Sequence, residues 1–469
     1  MDETPPAAET APECPGCRAA KITIVQLEAR FLELETKLRD LEDKFQPESP
    51  PRPQDPLGPA PAKKPSGQKR GAQPGHKPHL KKWLPLERVQ ETIAYIPKRC
   101  AKCDRALPAV AGPDDPAPKI HQVAELPEIL AEVTQHEGHS RTCPCGRVNH
   151  EPIPAEVRAH SVGPHLSAAI LTFAGCHGMS KRAIEETVET LFGVPIALGT
   201  ISNLEREGSE ALEAAYREAR ESVAEAEAKY VDETGWKEAG KKRWLWVAAT
   251  ANAVLFLIHP RRNIDALKLL LGKLSGTLIS DRWRVYDDWD YEHRQLCWAH
   301  VKRNWEKKIE GGGRGKVLGE RWLTTQKEVF ELWHLFQDEK CTRGELQTRM
   351  VPHVEALGDL LLEGIRVRDA ALSHYCERLL DRYPLYWVFT GVEGVDPTNN
   401  HAERVQRRAV LWRKRAFGCQ SSAGCRFVER ILTVVQTLRL QGRNSLEYLS
   451  RSIAAHRAGS AAPKLCATG

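Results

Sequence analysis

The chain has 469 residues, 41 % of them hydrophobic, enough for two to four domains and at least one sizeable core. Its net charge of +6 is modest but unevenly placed, acidic over 1–13 and basic over 63–82 and 404–443; such blocks suit a polyphosphate better than a small acidic substrate, although each alone also reads as a solvated face. No run approaches the ~18 apolar residues of a membrane span and "MDETPPAAET" lacks a basic and apolar leader, so the expectation is a soluble, cytoplasmic protein without a membrane partner, its 13 cysteines reduced.

Cys14 and Cys17 sit in an N-terminal tail, 1–20, and form half a metal site or two tail thiols. Over 21–46 the residues Ile24, Leu27, Phe31, Leu34, Leu38, Leu41 and Phe45 alternate steps of three and four, the seam of a short coiled coil. Three heptads are marginal alone, so this leucine-zipper-like helix calls for a homodimer or higher oligomer, or for packing on its own protein. Residues 47–82 are too rich in proline and glycine for a core and become cationic, with Lys69 and Arg70 placed to lie along phosphates.

The module 83–158 carries strand-like runs at "RVQETIAYIP" and "EILAEVTQHEGHSRT". From 159 to 227 the pattern is helical, with Ser180 predicted to cap a second helix and Thr200 or Ser202 a third. Helices joined this way suit a helix-turn-helix-like DNA-binding segment or any three-helix bundle. From 228 to 440, "KYVDETGW", "RWLWVAAT" and "AVLFLIHP" predict three strands, "NIDALKLLLGKL" a helix and "GTLISD" a fourth strand. The span 304–390 is mainly helical with a break at "EGGGRGK", and helix returns over 400–440. The fold class expected is multidomain α/β, its sheet interrupted by a helical insertion. Residues 441–469 read as a tail.

Two constellations carry chemistry. Cys100-x2-Cys103 and Cys143-x-Cys145 offer four thiolates, the shell of one structural Zn2+, against buried inert cysteines. The second set is acidic. Asp232 and Asp281 stand at the ends of predicted strands, and neighbouring strands lie about 5 Å apart. Two Mg2+ (or Mn2+) ions need shared carboxylates, and a third acid on a helix across the sheet would complete the set. Glu403 is the candidate. Its spacing from Asn400 is also that of a capping box, so a helix cap competes with the metal role. From 403 to 443 there are ten Arg or Lys against two Glu. Ala402, Val405, Ala409 and Trp412 form that helix's packing face, while Arg404, Arg407, Arg408, Arg413, Lys414 and Arg415 are available to phosphates.

The blocks "YVDETGWKEAGKKRWLWV", "ISDRWRVYD", "QLCWAH" and "DPTNNHAERVQRR" resemble those of bacterial transposases of the insertion-sequence 66 type, members of the retroviral-integrase-like superfamily with an Asp-Asp-Glu triad. The resemblance runs from about 20 to 455. It implies a ribonuclease-H-like catalytic domain with an insertion at about 304–390, preceded by a coiled-coil helix, a zinc-binding module and the helical segment. It also makes Asp232, Asp281 and Glu403 a catalytic, metal-holding triad. Cys297-x-x-His300 matches a Cys-x-x-His signature of related transposases, with a metal or a structural role open. Cys143-x-Cys145 departs from the more usual Cys-x2-Cys, and His150 could substitute.

The function expected is a DNA transposase that cleaves and joins strands at an element's terminal inverted repeats and in target DNA, nucleoid-associated when bound. Small accessory proteins of the same element are further possible partners. Two alternatives stand beside it: a metal-dependent DNA nuclease without strand transfer, and a non-catalytic DNA-binding protein derived from a transposase.

Overall fold

The computed structural model describes residues 83–466 apart from 111, 114, 128 and 290–292. The coiled coil expected over 21–46, the basic arm with Lys69 and Arg70, and the Cys14–Cys17 pair lie outside the described residues. The chain divides into two compact units, 47–130 and the remainder. Cys100 and Cys103 fall in the first of these and Cys143 and Cys145 in the second.

In the smaller unit the run "RVQETIAYIP" forms no strand, and Ile93, Tyr95 and Ile96 are exposed. Alternation alone cannot make a strand without a partner edge to satisfy its amides. Cys100-x2-Cys103 sits on a turn closed by the Cys100 N–H donating to the Arg105 carbonyl and the Asp104 N–H donating to Cys100.

In the larger unit a short hairpin, β1 (Ser140–Thr142) and β2 (Val148–His150), carries Cys143 and Cys145 in its turn. After a single turn of helix at Ala155–Arg158 come four longer helices: α1 (Pro164–Gly175), α2 (Lys181–Phe192), α3 (Leu198–Ala211) and α4 (Glu213–Glu225). Ser180 caps α2 by accepting the Ala183 amide, as its position predicts. The cap expected at Thr200 or Ser202 is not formed: α3 begins earlier, with Ala197 at its N-cap, and the Ser202 hydroxyl donates back to the Leu198 carbonyl inside the helix. The long helix expected over this stretch breaks at Leu212.

The sheet begins with β3 (Ala228–Glu238) and β4 (Lys241–Ala249), a hairpin whose turn residues Ala239 and Gly240 both have positive φ, the geometry that matches strand twist. Then come β5 (Val254–His259), α5 (Ile264–Leu271), β6 (Thr277–Ser280) and β7 (Arg294–Leu296). The order is β5-β4-β3-β6-β7, antiparallel on the β5–β4–β3 side and parallel on the β3–β6–β7 side. The three-residue β7 has no readable period, and sequence analysis missed it.

Both faces of this sheet are covered. Along β4, Leu245, Val247 and Ala249 join one core, and Trp246 and Ala248 the other. The first core contains the inserted helices α6 (Trp298–Glu310), α7 (Gly313–Gln337), α8 (Arg343–Ile365) and α9 (Ala370–Leu380), together with the buried side of α10 (Asn400–Ala416). The second contains α1 to α5 and two C-terminal helices, α11 (Ser422–Leu440) and α12 (Ser445–Arg457). Residues after 441, expected as a tail, thus belong to the core: Leu449 and Ile453 are buried, and Arg457 pairs with Glu207 at 2.7 Å. The break between α10 and α11 falls at Gly418, φ +110°, where a Cβ would stand 2.2 Å from the Lys237 carbonyl oxygen. Among the described residues no helix is long and apolar enough to cross a membrane.

Candidate active site

β3 carries Asp232 one strand width from β6, whose last residue precedes Asp281. The parallel register pairs Tyr230 with Ile279, so Asp232 and Asp281 each stand two residues beyond the last paired positions of adjacent strands. Burial is the first cause that pushes Asp232 up to about 7, and the charges of Glu233, Asp281 and Glu403 add to it against the Glu233 amide. The charges of Asp281 and Glu403 thus both bear on the buried Asp232. Asp281 Oδ1 accepts the Trp283 amide at 2.9 Å. Glu233, on the next position of β3, takes Arg262 and the Tyr286 hydroxyl as partners and stays structural.

Glu403 lies in the first turn of α10, but the capping box with Asn400 is not formed. Asn400 is already helical, Asn399 is the N-cap, and no side-chain cap bond is made. Glu403 Oε1 instead meets Arg303 at 3.1 Å, with both side chains substantially exposed. Arg303 also approaches His300 Nε2 at 3.2 Å. Among the described residues no three His, Cys, Asp or Glu side chains are gathered as a ready metal-ligand cluster.

Of the Cys-x-x-His pair, Cys297 is buried at the end of β7, and burial raises its thiol. His300 is one turn along α6. Burial, then the Arg303 charge, lowers its pKa, and its Nδ1 is buried without a partner. His300 faces a groove of about 930 Å3 together with Asp232, Glu403, Arg404 and Arg407. The opposite wall is α7, through Phe330, Trp333 and His334.

The predicted phosphate contacts divide. Arg404 and Arg407 are exposed on the groove, and Lys414 is exposed further along. Arg408 donates to the Cys176 carbonyl at 2.8 Å and Arg415 to the His177 carbonyl at 2.9 Å. Arg413 donates to Thr234 Oγ1 at 2.8 Å and to the Gly235 carbonyl. These three fasten α10 to the protein.

One thiol of each cysteine pair is polarised for deprotonation. The Lys102 and Cys103 amides lower Cys100, and the Arg147 amide lowers Cys145. His150 is engaged through Nδ1 by the Ser140 hydroxyl at 2.6 Å.

Sequence reasoning missed Arg303 and Asn399. Arg303 comes to Glu403 from 100 residues earlier with no local signal. Asn399 stands within the quoted "TNNHAE" block, yet only its burial, at 1 % exposure, separates it from Asn400.

The family model described as "Transposase IS66 family" matches residues 160–426. No curated protein matches the chain.

Proposed function

The chain belongs to the IS66 family of transposases, and on that premise we propose that it cleaves DNA at the ends of its element and joins the freed strands to target DNA. The strand order β5-β4-β3-β6-β7, with its change from antiparallel to parallel at β3, supports a ribonuclease-H-like catalytic domain. The observation that carries the catalytic reading is that Asp232 and Glu403 line one groove and that the charges of Asp281 and Glu403 both act on Asp232.

The donor set fits hard divalent cations: three carboxylates and no thiolate, with Asp232 raised by burial and by its anionic neighbours, a penalty that a cation relieves. Asp232, Asp281 and Glu403 would hold two Mg2+ or Mn2+ ions. When bound, such ions polarise the scissile phosphate and lower the pKa of the attacking water. Asp232 must give up its proton to ligate, and Glu403 must leave Arg303. Arg404 and Arg407 hold the DNA backbone in the groove without reading bases. Water attacks phosphorus and the bond to the 3′ oxygen breaks, leaving a 3′-hydroxyl; that hydroxyl then attacks a target phosphate in the same in-line manner.

The helical segment 159–227 would recognise the terminal repeats, and the coiled coil over 21–46 would pair two ends. Zinc held by thiolates of the cysteine pairs belongs to the same proposal, as do accessory proteins.

The test supplies a pre-cleaved 3′-hydroxyl end, made from DNA flanking the coding sequence, with a target plasmid and Mg2+. Joined product is expected, and Ala at Asp232, Asp281 or Glu403 should abolish it while end binding stays measurable. Nicks without joining mean a nuclease. A Glu403→Ala chain that still joins ends removes Glu403 from the triad.

A further inference from the structure

One chain of hydrogen bonds links the three acid-bearing elements close to where the acids project. The carbonyl of Val231, the residue before Asp232, accepts Asn399 Nδ2–H at 2.7 Å. The Asn399 amide donates to Cys297 Sγ at 3.2 Å. The Cys297 amide donates at 3.0 Å to the carbonyl of Ser280, the residue before Asp281. The carbonyl of Asn399 accepts the Glu403 amide at 3.2 Å. A parallel stitch runs from the Trp298 amide to the Pro397 carbonyl at 3.0 Å.

Two features set Asn399 apart from an ordinary helix cap. An N-cap asparagine normally turns its Oδ1 onto the first-turn amides; this one makes no such bond. Its Oδ1 is buried without a hydrogen-bond partner, an arrangement that costs stability. The chain therefore gives up a cap and an acceptor to keep the side-chain amide on β3. Cys297, 1 % exposed, is likewise held by what it joins, with β6 on its amide and the start of α10 on its sulfur.

We propose that Asn399 and Cys297 are positioning residues, a bracket that sets the spacing of Asp232, Asp281 and Glu403 and with it the affinity of the site for divalent cations. The proposal rests on the reading of those acids given above. Cys297 thereby has a task beside the active site that needs no metal on its sulfur.

The experiment measures Mn2+ binding to the full-length chain by calorimetry, without DNA, alongside thermal melts. Asn399→Ala and Cys297→Ala should each weaken binding by about tenfold, the size typical of residues that orient ligands from behind. Cys297→Ser keeps an acceptor and should recover part of the loss, which general loosening of the fold would not produce. A cooperatively melting Asn399→Ala or Cys297→Ala chain that binds Mn2+ as tightly as the parent overturns the bracket. If Asn399→Ala fails to fold, the two Cys297 variants decide. Asp232→Ala separates the two readings. Binding lost in Asp232→Ala but untouched in both bracket variants sinks the bracket alone; a parent chain whose Mn2+ binding survives Asp232→Ala, or is absent, sinks the site and the bracket with it.

Discussion

Arg303 occupies the place beside Glu403 where the proposed reaction needs a cation. Its guanidinium neutralises the carboxylate at 3.1 Å, but both side chains reach solvent, so the pair is screened and exchangeable. Removing the arginine frees Glu403 without touching the bracket behind it. Arg303→Ala is expected to bind Mn2+ several-fold more tightly than the parent in DNA-free calorimetry, by roughly the worth of one exposed ion pair. Unchanged or weaker binding would mean that Arg303 orients Glu403. The capping spacing of Asn400 and Glu403 was legible in the sequence, and it misled, because helix start and side-chain partner are settled by contacts that come from β3 and α6. The exposed side of α10 was legible from its period. That Arg408, Arg413 and Arg415 bend onto backbone carbonyls was not, since an arginine's reach leaves its partner undetermined.

At the scale of elements, α11 shows how a sheet edge is closed by a helix. Among the described residues β5 has no neighbouring strand on one side, and α11 takes amides on that edge. The Val254 amide donates to Thr437 Oγ1, the Phe256 amide to Thr433 Oγ1 and the Ile258 amide to Glu429 Oε1, at 3.0, 2.9 and 2.6 Å. Covering an edge in this way prevents pairing with another chain. Burial raises Glu429 to about 7. Its protonated form is favoured in the fold, so that contribution is present below its ordinary value near 4.5 and is lost as pH rises through about 7. Glu429→Gln keeps an acceptor and removes the charge. Its melting temperature should draw ahead of the parent's between pH 5 and 8, and a gap that does not change with pH would contradict the shift. The spacing of Glu429, Thr433 and Thr437 by fours was visible in the sequence as one helix face. That this face meets a strand edge was not visible.

On the scale of the whole molecule, the segment before the sheet and the segment after it complete one layer. α12 lies on α1 and α3, and Arg457 joins Glu207 and the Val162 carbonyl, both at 2.7 Å. Deleting 445–469 would remove the buried Leu449, Ile453 and Leu465 and uncover the apolar faces of α1 and α3 on which α12 lies. The truncated chain should lose its cooperative melt or melt far below the full-length protein, whereas a true tail could be removed with little effect. The sequence by itself determined the strands β3 to β6, the helical insertion, the basic face of α10 and the three acids as candidates, because period, turn chemistry and motif order are local properties. Tertiary structure alone decided β7, the docking of α12, the meeting of Arg303 with Glu403 and the bracket through Asn399 and Cys297. Each of these joins residues far apart in the chain, and short-range pattern carries no record of which distant group will fill a given space.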